Sequence, residues 1–231
     1  MSDAIAIPVD RLAWRPQTAR PTRRPRTVTN PVVEPLWEGA HLLAHVDTEH
    51  AGAGGGPRCL LIDDQGTDLT DLEAEIAASV GDAFRGIEAV IDGYLTDQAT
   101  RPGTDVSLAP VGRASGNIVM GRRIDPDVSP RATGQDEPRA VAFVAVDLLR
   151  VDGEDLFDVP LLERKRILDS LLEQGPRVRI SPYTQPPLRN WMQTWRAAGF
   201  RGAVLKAANS RYRPGESTDD WTVALASDQK R

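Results

Sequence analysis

The sequence predicts an α+β domain, and three observations carry that prediction. From Val32 onward, short β-branched runs alternate with helical patterns. The segment Val141 to Leu149 is a nearly continuous apolar run of strand type. After Pro160, Leu161, Leu162, Ile167, Leu168, Leu171 and Leu172 fall on one side of a helix. With 231 residues the chain is long enough to bury a substantial core.

The first 30 residues stand apart in charge. Arg11, Arg15, Arg20, Arg23, Arg24 and Arg26 face only Asp3 and Asp10, a balance of +4, while the rest of the chain carries −9. Pro16, Pro21 and Pro25 forbid a continuous helix there. Residues 1–30 are therefore predicted to form a flexible Arg/Pro-rich arm. It is either an electrostatic hold on phosphate backbones, through Arg15, Arg20, Arg23, Arg24 and Arg26, or a solvated tail.

Strands are predicted at Val32-Val33 and from His41 to Val46, around a turn at Gly39. Residues 51–57, with three consecutive glycines, read as a hairpin loop. They lack a following Lys-Ser/Thr, so they are no phosphate-binding loop of the Walker type. Arg58 to Ile62 returns as a strand. Thr70 and Glu73 have the spacing of a capping box and predict a helix over 70–79. Ile87 to Ile91 reads as a strand ending at Asp92-Gly93. Residues 97–139, rich in Pro, Gly, Asp and Arg, are predicted as a long, mostly disordered loop.

Beyond the strand at 141–149, Asp152-Gly153 makes a turn, Pro160 opens a helix and Gly175 stops it. A strand near Val178-Ile180 precedes a helix from about Pro187 to Gly199. On that helix Trp191 and Trp195 lie four apart and read as core anchors. Strands at Ala203–Lys206 and Trp221–Ala226 complete the order, and 227–231 is a tail.

Composition excludes several classes of function. Hydrophobic residues make up 40% and charged residues 26%, ordinary for a soluble globular chain. No apolar run is long enough for a transmembrane helix, and the start lacks a secretory pattern. Cys59 is the single cysteine, which excludes a disulfide framework and a Cys-type zinc site. A cytoplasmic location is expected. Of the 28 basic residues only Lys165, Lys206 and Lys230 are lysines, so chemistry needing a lysine amine has few possible homes.

Four segments, in order, resemble the adenylation domain of ATP-dependent DNA ligases, with the nearest likeness to the bacterial ligase D type. Glu34-Pro35-Leu36-Trp37-Glu38-Gly39-Ala40-His41 is similar to Glu-Pro-Lys-x-Asp-Gly-x-Arg. Ala89 to Leu95 is similar to a strand ending in Asp-Gly-Glu. Phe143 to Leu149 is followed by Asp152-Gly153 and by Pro160 to Arg164. Arg201-Gly202-Ala203-Val204-Leu205-Lys206 matches Glu-Gly-x-x-x-Lys and runs on to Tyr212-Arg213-Pro214-Gly215 and Trp221. The likeness covers roughly residues 30–226. It implies a nucleotidyltransferase fold over 31–226: two packed, mainly antiparallel sheets flanked by helices, with a nucleotide cleft between them.

The resemblance also implies what is missing. In the family a lysine amine attacks the α-phosphate of ATP, cations and a carboxylate-held metal offsetting the phosphate charge. Here the nucleophile position is Leu36, the motif's Asp is Glu38 and its Arg is His41. The metal-assisting Glu is Tyr94, the adenine-stacking Phe is Val146, and the Glu of the fourth segment is Arg201. Both closing lysines are aliphatic, as Val223 and Leu225. Glu34, Gly39, Asp92, Gly202 and Lys206 remain. Lys165, between Arg164 and Arg166, is expected to face away from the cleft. His41, His45 and His50 near Asp47 are read as a drifted Arg position and a loop edge, with no metal site. Ligases of this class continue into an OB-fold domain, which is expected to be absent.

The expected function is a catalytically inactive ligase-like pseudoenzyme with a binding or scaffolding role in DNA repair. One alternative is an ATP-dependent DNA ligase or nucleotidyltransferase acting through Lys206 or a partner domain. The other is a DNA-binding module driven by the basic arm. No cofactor is expected, and ATP with Mg²⁺ only if the family activity persists. DNA and repair proteins are the expected partners, with no membrane.

Overall fold

The computed structural model describes residues 9–21, 28–51, 57–98, 141–185, 195, 196 and 198–225. A single helical turn, α1 (Val9–Leu12), leads into β1 (Thr18–Pro21). Then come β2 (Pro31–Pro35), β3 (Ala40–Ala51), β4 (Pro57–Asp63), α2 (Ala74–Ala83) and β5 (Glu88–Thr96). The second half holds β6 (Ala142–Val151), β7 (Glu154–Asp155), α3 (Leu161–Leu171), β8 (Val178–Ile180), β9 (Gly202–Ala207) and β10 (Ser217–Leu225).

These strands build two sheets. The smaller has the order β1-β10-β9-β2, and the larger runs β4-β3-β5-β6-β7 with β8 also on β6. Pairing is antiparallel except for β1 on β10 and β8 on β6.

Period-two alternation decides which residues face which layer. Along β3, Leu42, Ala44 and Val46 pack with Ile76, Val80 and Phe84 from α2 and its end. The opposite face of the larger sheet meets the smaller one, where Val144 and Val146 pack with Val33, Trp37, Phe200 and Leu205. A third cluster joins Leu43, Val90 and Leu149 to Val32, Tyr212 and Trp221, with Trp14 and Phe157 against it.

Two irregularities in β6 reset which of its residues share a face. The pairs Asp92↔Asp147 and Gly93↔Ala145 leave Val146 as an extra residue, and the shift between Val90 and Ile91 does the same to Leu149. Such bulges break the strict alternation. They put Val146 on the side facing the smaller sheet and Ala145 and Leu148 on the α2 side, while Asp147 bonds Arg164 of α3.

The structure corrects several sequence expectations. The segment read as a flexible arm is built into the fold over 9–21: β1 joins a sheet, and Gln17 is buried. The helix expected over 70–79 begins at Ala74. Thr70 Oγ1 accepts from Leu61 N at 2.9 Å instead of capping it. β5 does not end at Asp92-Gly93 but continues to Thr96, because a glycine here is needed inside the strand. A Cβ on Gly93 would lie 2.4 Å from the Phe143 ring. Asp152 and Gly153, with φ of 45° and 92°, make the expected turn between β6 and β7. Trp195 is buried in the inter-sheet cluster, as a core anchor should be. Arg23, Arg24, Arg26, Trp191, the tail 227–231 and nearly all of the predicted 97–139 loop lie outside the described residues.

Candidate functional site

The space between the two sheets is the candidate cleft. β2 brings Glu34 and Pro35, β9 brings Val204 and Lys206, and β10 brings Trp221. Across from them stand His41 on β3, Tyr94 on β5 and Val146 on β6, with Trp37 at one side and Gln17 and Ala19 at another. The free space they enclose is only about 20 Å³, the size of about one water.

What fills the cleft is a buried ion network. Glu34 Oε1 lies 2.7 Å from Lys165 Nζ and 3.3 Å from Lys206 Nζ. Its Oε2 accepts from Ser181 Oγ at 3.2 Å, and that hydroxyl accepts from Trp37 Nε1 at 2.9 Å. Lys165 also donates to the Val146 carbonyl at 2.8 Å. Lys206 sits 4.1 Å from the centre of the Trp221 ring, a cation–π contact.

The network extends behind the cleft wall. Arg164 grips Asp147 bidentately, Nε to Oδ1 at 2.9 Å and Nη2 to Oδ2 at 2.7 Å. Its Nη1 donates to the carbonyls of Val159 and Ser210. Burial alone would raise the Asp147 pKa, but the Arg164 guanidinium, helped by Lys206 and Lys165, holds it below the usual carboxylate range. For Lys165 burial wins instead and pushes its ammonium down, against the pull of Glu34.

A second chain of hydrogen bonds crosses the floor. His41 Nε2 lies 2.7 Å from Asp92 Oδ1, and Tyr212 Oη donates to Asp92 Oδ2 at 2.7 Å. The His41 ring stacks on Tyr94 with centroids 4.2 Å apart and planes within 7°. Burial, reinforced by Asp92, Glu34 and Asp64, raises the Tyr94 pKa far above the ordinary phenol value. Tyr94 is therefore a neutral hydroxyl at any physiological pH.

Of the residues singled out from the sequence, Glu34, His41, Tyr94, Val146 and Lys206 meet in the cleft, with Asp92 behind His41. Others lie apart. Leu36 is half-buried just past β2, its N–H donating to the Gly202 carbonyl at 3.0 Å. Glu38 and Arg201 form an ion pair on the rim, so the charge reversal at Arg201 has found a partner in Glu38. Gly39 is strictly required, since φ is 131° and a Cβ would lie 2.1 Å from the Leu95 carbonyl oxygen. Val223 pairs with Val204 on one side and Pro21 on the other, and Leu225 is exposed at the strand end. Of the arginines assigned to nucleic acid, Arg15 is spent on the carbonyls of Leu12 and Trp14, and Arg20 on Asp219 and the Ser217 carbonyl.

Lys165 corrects the sequence expectation most sharply. It does not face away from the cleft; its ammonium is buried there. The signal was present in the spacing: Leu161, Arg164, Lys165 and Leu168 are i, i+3, i+4 and i+7, the buried stripe of α3. The neighbouring charges concealed it. Among the described residues no group of three or more His, Cys, Asp or Glu is placed to hold a metal.

Comparison with known proteins shows what the fold is similar to. Residues 117–222 match the family model for the ATP dependent DNA ligase domain. DNA ligase B of Mycobacterium tuberculosis is 31% identical over 120 residues, 52% of this chain and 23% of that protein. The DNA ligase of Natronomonas pharaonis is 38% identical over 89 residues, 37% of this chain and 16% of its own length. The chain thus spans less than a quarter of these curated relatives. The ligase domain of M. tuberculosis LigD superposes with a TM-score of 0.59 at 19% identity, over 93% of this chain and 60% of that one. A mycobacterial DNA ligase D complexed with ATP and MES gives 0.61 at 19% identity, over 93% and 61%. The fold is therefore the nucleotidyltransferase fold of the DNA-ligase adenylation domain, with its likeness to the bacterial ligase D type extending over nearly the whole chain.

Proposed function

We propose that this chain is a catalytically inactive form of the ligase adenylation domain, serving DNA repair by binding or scaffolding. The observation that carries the reading is Leu36. An alkyl side chain stands where the resemblance calls for the attacking lysine, and it has no lone pair to offer phosphorus. The cleft supports the same reading. Nucleotide sites occupy several hundred Å³, whereas about 20 Å³ remains here around Lys206 and Trp221. ATP and Mg²⁺ fit this set of residues poorly. The neutral phenol of Tyr94 holds the place of a metal-assisting carboxylate, and the lysines Lys165 and Lys206 already share Glu34. Activity through Lys206 would require breaking that buried pair.

Incubation with α-labelled ATP and magnesium, followed by denaturing electrophoresis, tests the proposal. No labelled band is expected; a covalent adenylate would overturn it.

The charge asymmetry of the first 30 residues favours a DNA contact as the binding role. With Arg15 and Arg20 engaged within the protein, Arg23, Arg24 and Arg26 are the residues that would supply it. Loss of nicked-duplex binding in a triple Ala variant supports this role, and unchanged binding excludes it.

A further inference from the structure

Residues 11–21 cross from one sheet to the other over the cleft. Arg11 Nη1 donates to Glu88 Oε2 on β5 of the larger sheet at 2.9 Å. The Trp14 ring packs edge-on against Phe157, with centroids 4.8 Å apart. Gly215 N donates to the Arg15 carbonyl at 2.8 Å, and Thr18 N to the Glu216 carbonyl at 3.0 Å. From there β1 lies along β10 of the smaller sheet.

Gln17 is the centre of this crossing. Its backbone N–H donates to Tyr212 Oη at 2.8 Å, its Nε2 donates to Thr218 Oγ1 at 3.2 Å, and its Oε1 accepts from Arg213 N at 2.6 Å. It is 1% exposed, and with Ala19 it forms one wall of the cleft.

Beyond Gln17 the hold is slight. β1 has four residues, mostly exposed, with a bulge between Ala19 and Arg20 and a proline at its end. A short parallel edge strand ending in proline offers few ladder bonds. The Arg20–Asp219 pair is half-exposed and contributes little. β10 keeps β9 as its other neighbour, so the smaller sheet survives without β1.

We propose that residues 11–21 are an intramolecular strap that holds the cleft shut, and that it detaches as a unit to expose the walls between the two sheets. The exposed walls would be the Lys206 ammonium over Trp221, still paired with Glu34, together with the stacked His41–Tyr94 pair and Val146. The inference concerns access to the cleft and stands whether or not the cleft is inert toward ATP.

Hydrogen–deuterium exchange on the full chain tests it, with 8-anilinonaphthalene-1-sulfonate as the probe. Gln17→Ala should speed exchange over 217–225 by about tenfold while 40–51 and 142–151 stay protected. It should also bind one probe molecule per chain. The pair Thr18→Cys and Ser217→Cys, in register between β1 and β10, should when oxidised slow exchange selectively at 217–225 and abolish probe binding. Reduction should restore both. If Gln17→Ala unfolds the chain, the oxidised and reduced forms of the cysteine pair decide alone. Unchanged exchange at 217–225, a uniform change over all three segments, or equal probe binding by locked and reduced chains would overturn the strap.

Discussion

Lys165 Nζ lies 2.7 Å from Glu34 Oε1 in the space between the two sheets. A lysine from a helix and a glutamate from the opposite sheet thus neutralise each other where the resemblance implies a triphosphate. Lys206 shares the same carboxylate. Buried charges are tolerated only when paired, so this contact is a structural commitment as much as a chemical one.

Glu34→Gln removes the only carboxylate within 4 Å of either lysine among the described residues and leaves two buried ammonium groups uncompensated. Urea unfolding should show a loss of about 3 kcal/mol. Adding Lys165→Met should recover part of it, since one buried charge is then gone. A double variant no more stable than the single one would show that the pair is not coupled.

Restoring the nucleophile alone should not restore the chemistry. Leu36→Lys introduces an amine just past β2, but Tyr94, Arg201, Val223 and Leu225 are unchanged and the cleft is still filled. The labelled-ATP experiment should give no adenylate band for this variant. A band would mean that a single side chain separates this cleft from activity.

Gly93→Ala should be severely destabilising. Its Cβ would meet the Phe143 ring at 2.4 Å and the Val144 carbonyl oxygen at 2.6 Å, both inside the packed larger sheet. A loss of about 2 to 3 kcal/mol in chemical denaturation is expected. A loss below half of that would mean that β5 and β6 can move apart.

His45 predicts a pH dependence. It is buried on β3, and neither ring nitrogen has a hydrogen-bond partner. Burial, followed by the charges of Arg11 and Arg15, lowers its pKa from 6.5 to about 4. Between those values the unfolded chain takes up a proton that the folded chain refuses, so stability falls as pH drops from 6.5 toward 4. The contribution approaches roughly 3 kcal/mol over the whole span. His45→Leu should lose less stability than the parent between about pH 7 and about pH 4.5 in urea titrations. Equal losses would remove His45 as the cause.

Neutralising the remaining arm arginines should flatten the salt dependence of any DNA binding. With Arg23, Arg24 and Arg26 all changed to Ala, the slope of log affinity against log salt should shrink by about three phosphate contacts' worth. Filter binding at several salt concentrations measures it. An unchanged slope would place any DNA contact elsewhere.

The sequence by itself determined the order of strands, because alternation and turn residues are local. It placed β2, β3, β4, β6, β8, β9 and β10 near their true positions, along with the Asp152-Gly153 turn. It also put an alkyl side chain, Leu36, at the position where the resemblance implies the attacking lysine. Local pattern misled where tertiary contacts outweigh it. Thr70 and Glu73 have the spacing of a cap, yet Thr70 serves β4 and the helix begins beyond them. Gly93 resembles a turn residue, yet it sits inside a strand because Phe143 claims the space a side chain would need.

Only the tertiary structure decided what the cleft contains. Glu34, Asp147, Lys165 and Lys206 are dispersed along the sequence, and each alone reads as surface charge or as a remnant of a motif. Packing two sheets and α3 together removes them from water at once, and the cost of burying a lone charge makes them pair. The Arg- and Pro-rich start reads as a solvated arm for the same reason: its partners, Glu88, Phe157, Tyr212 and β10, come from later in the chain and are adjacent to it only in the folded protein.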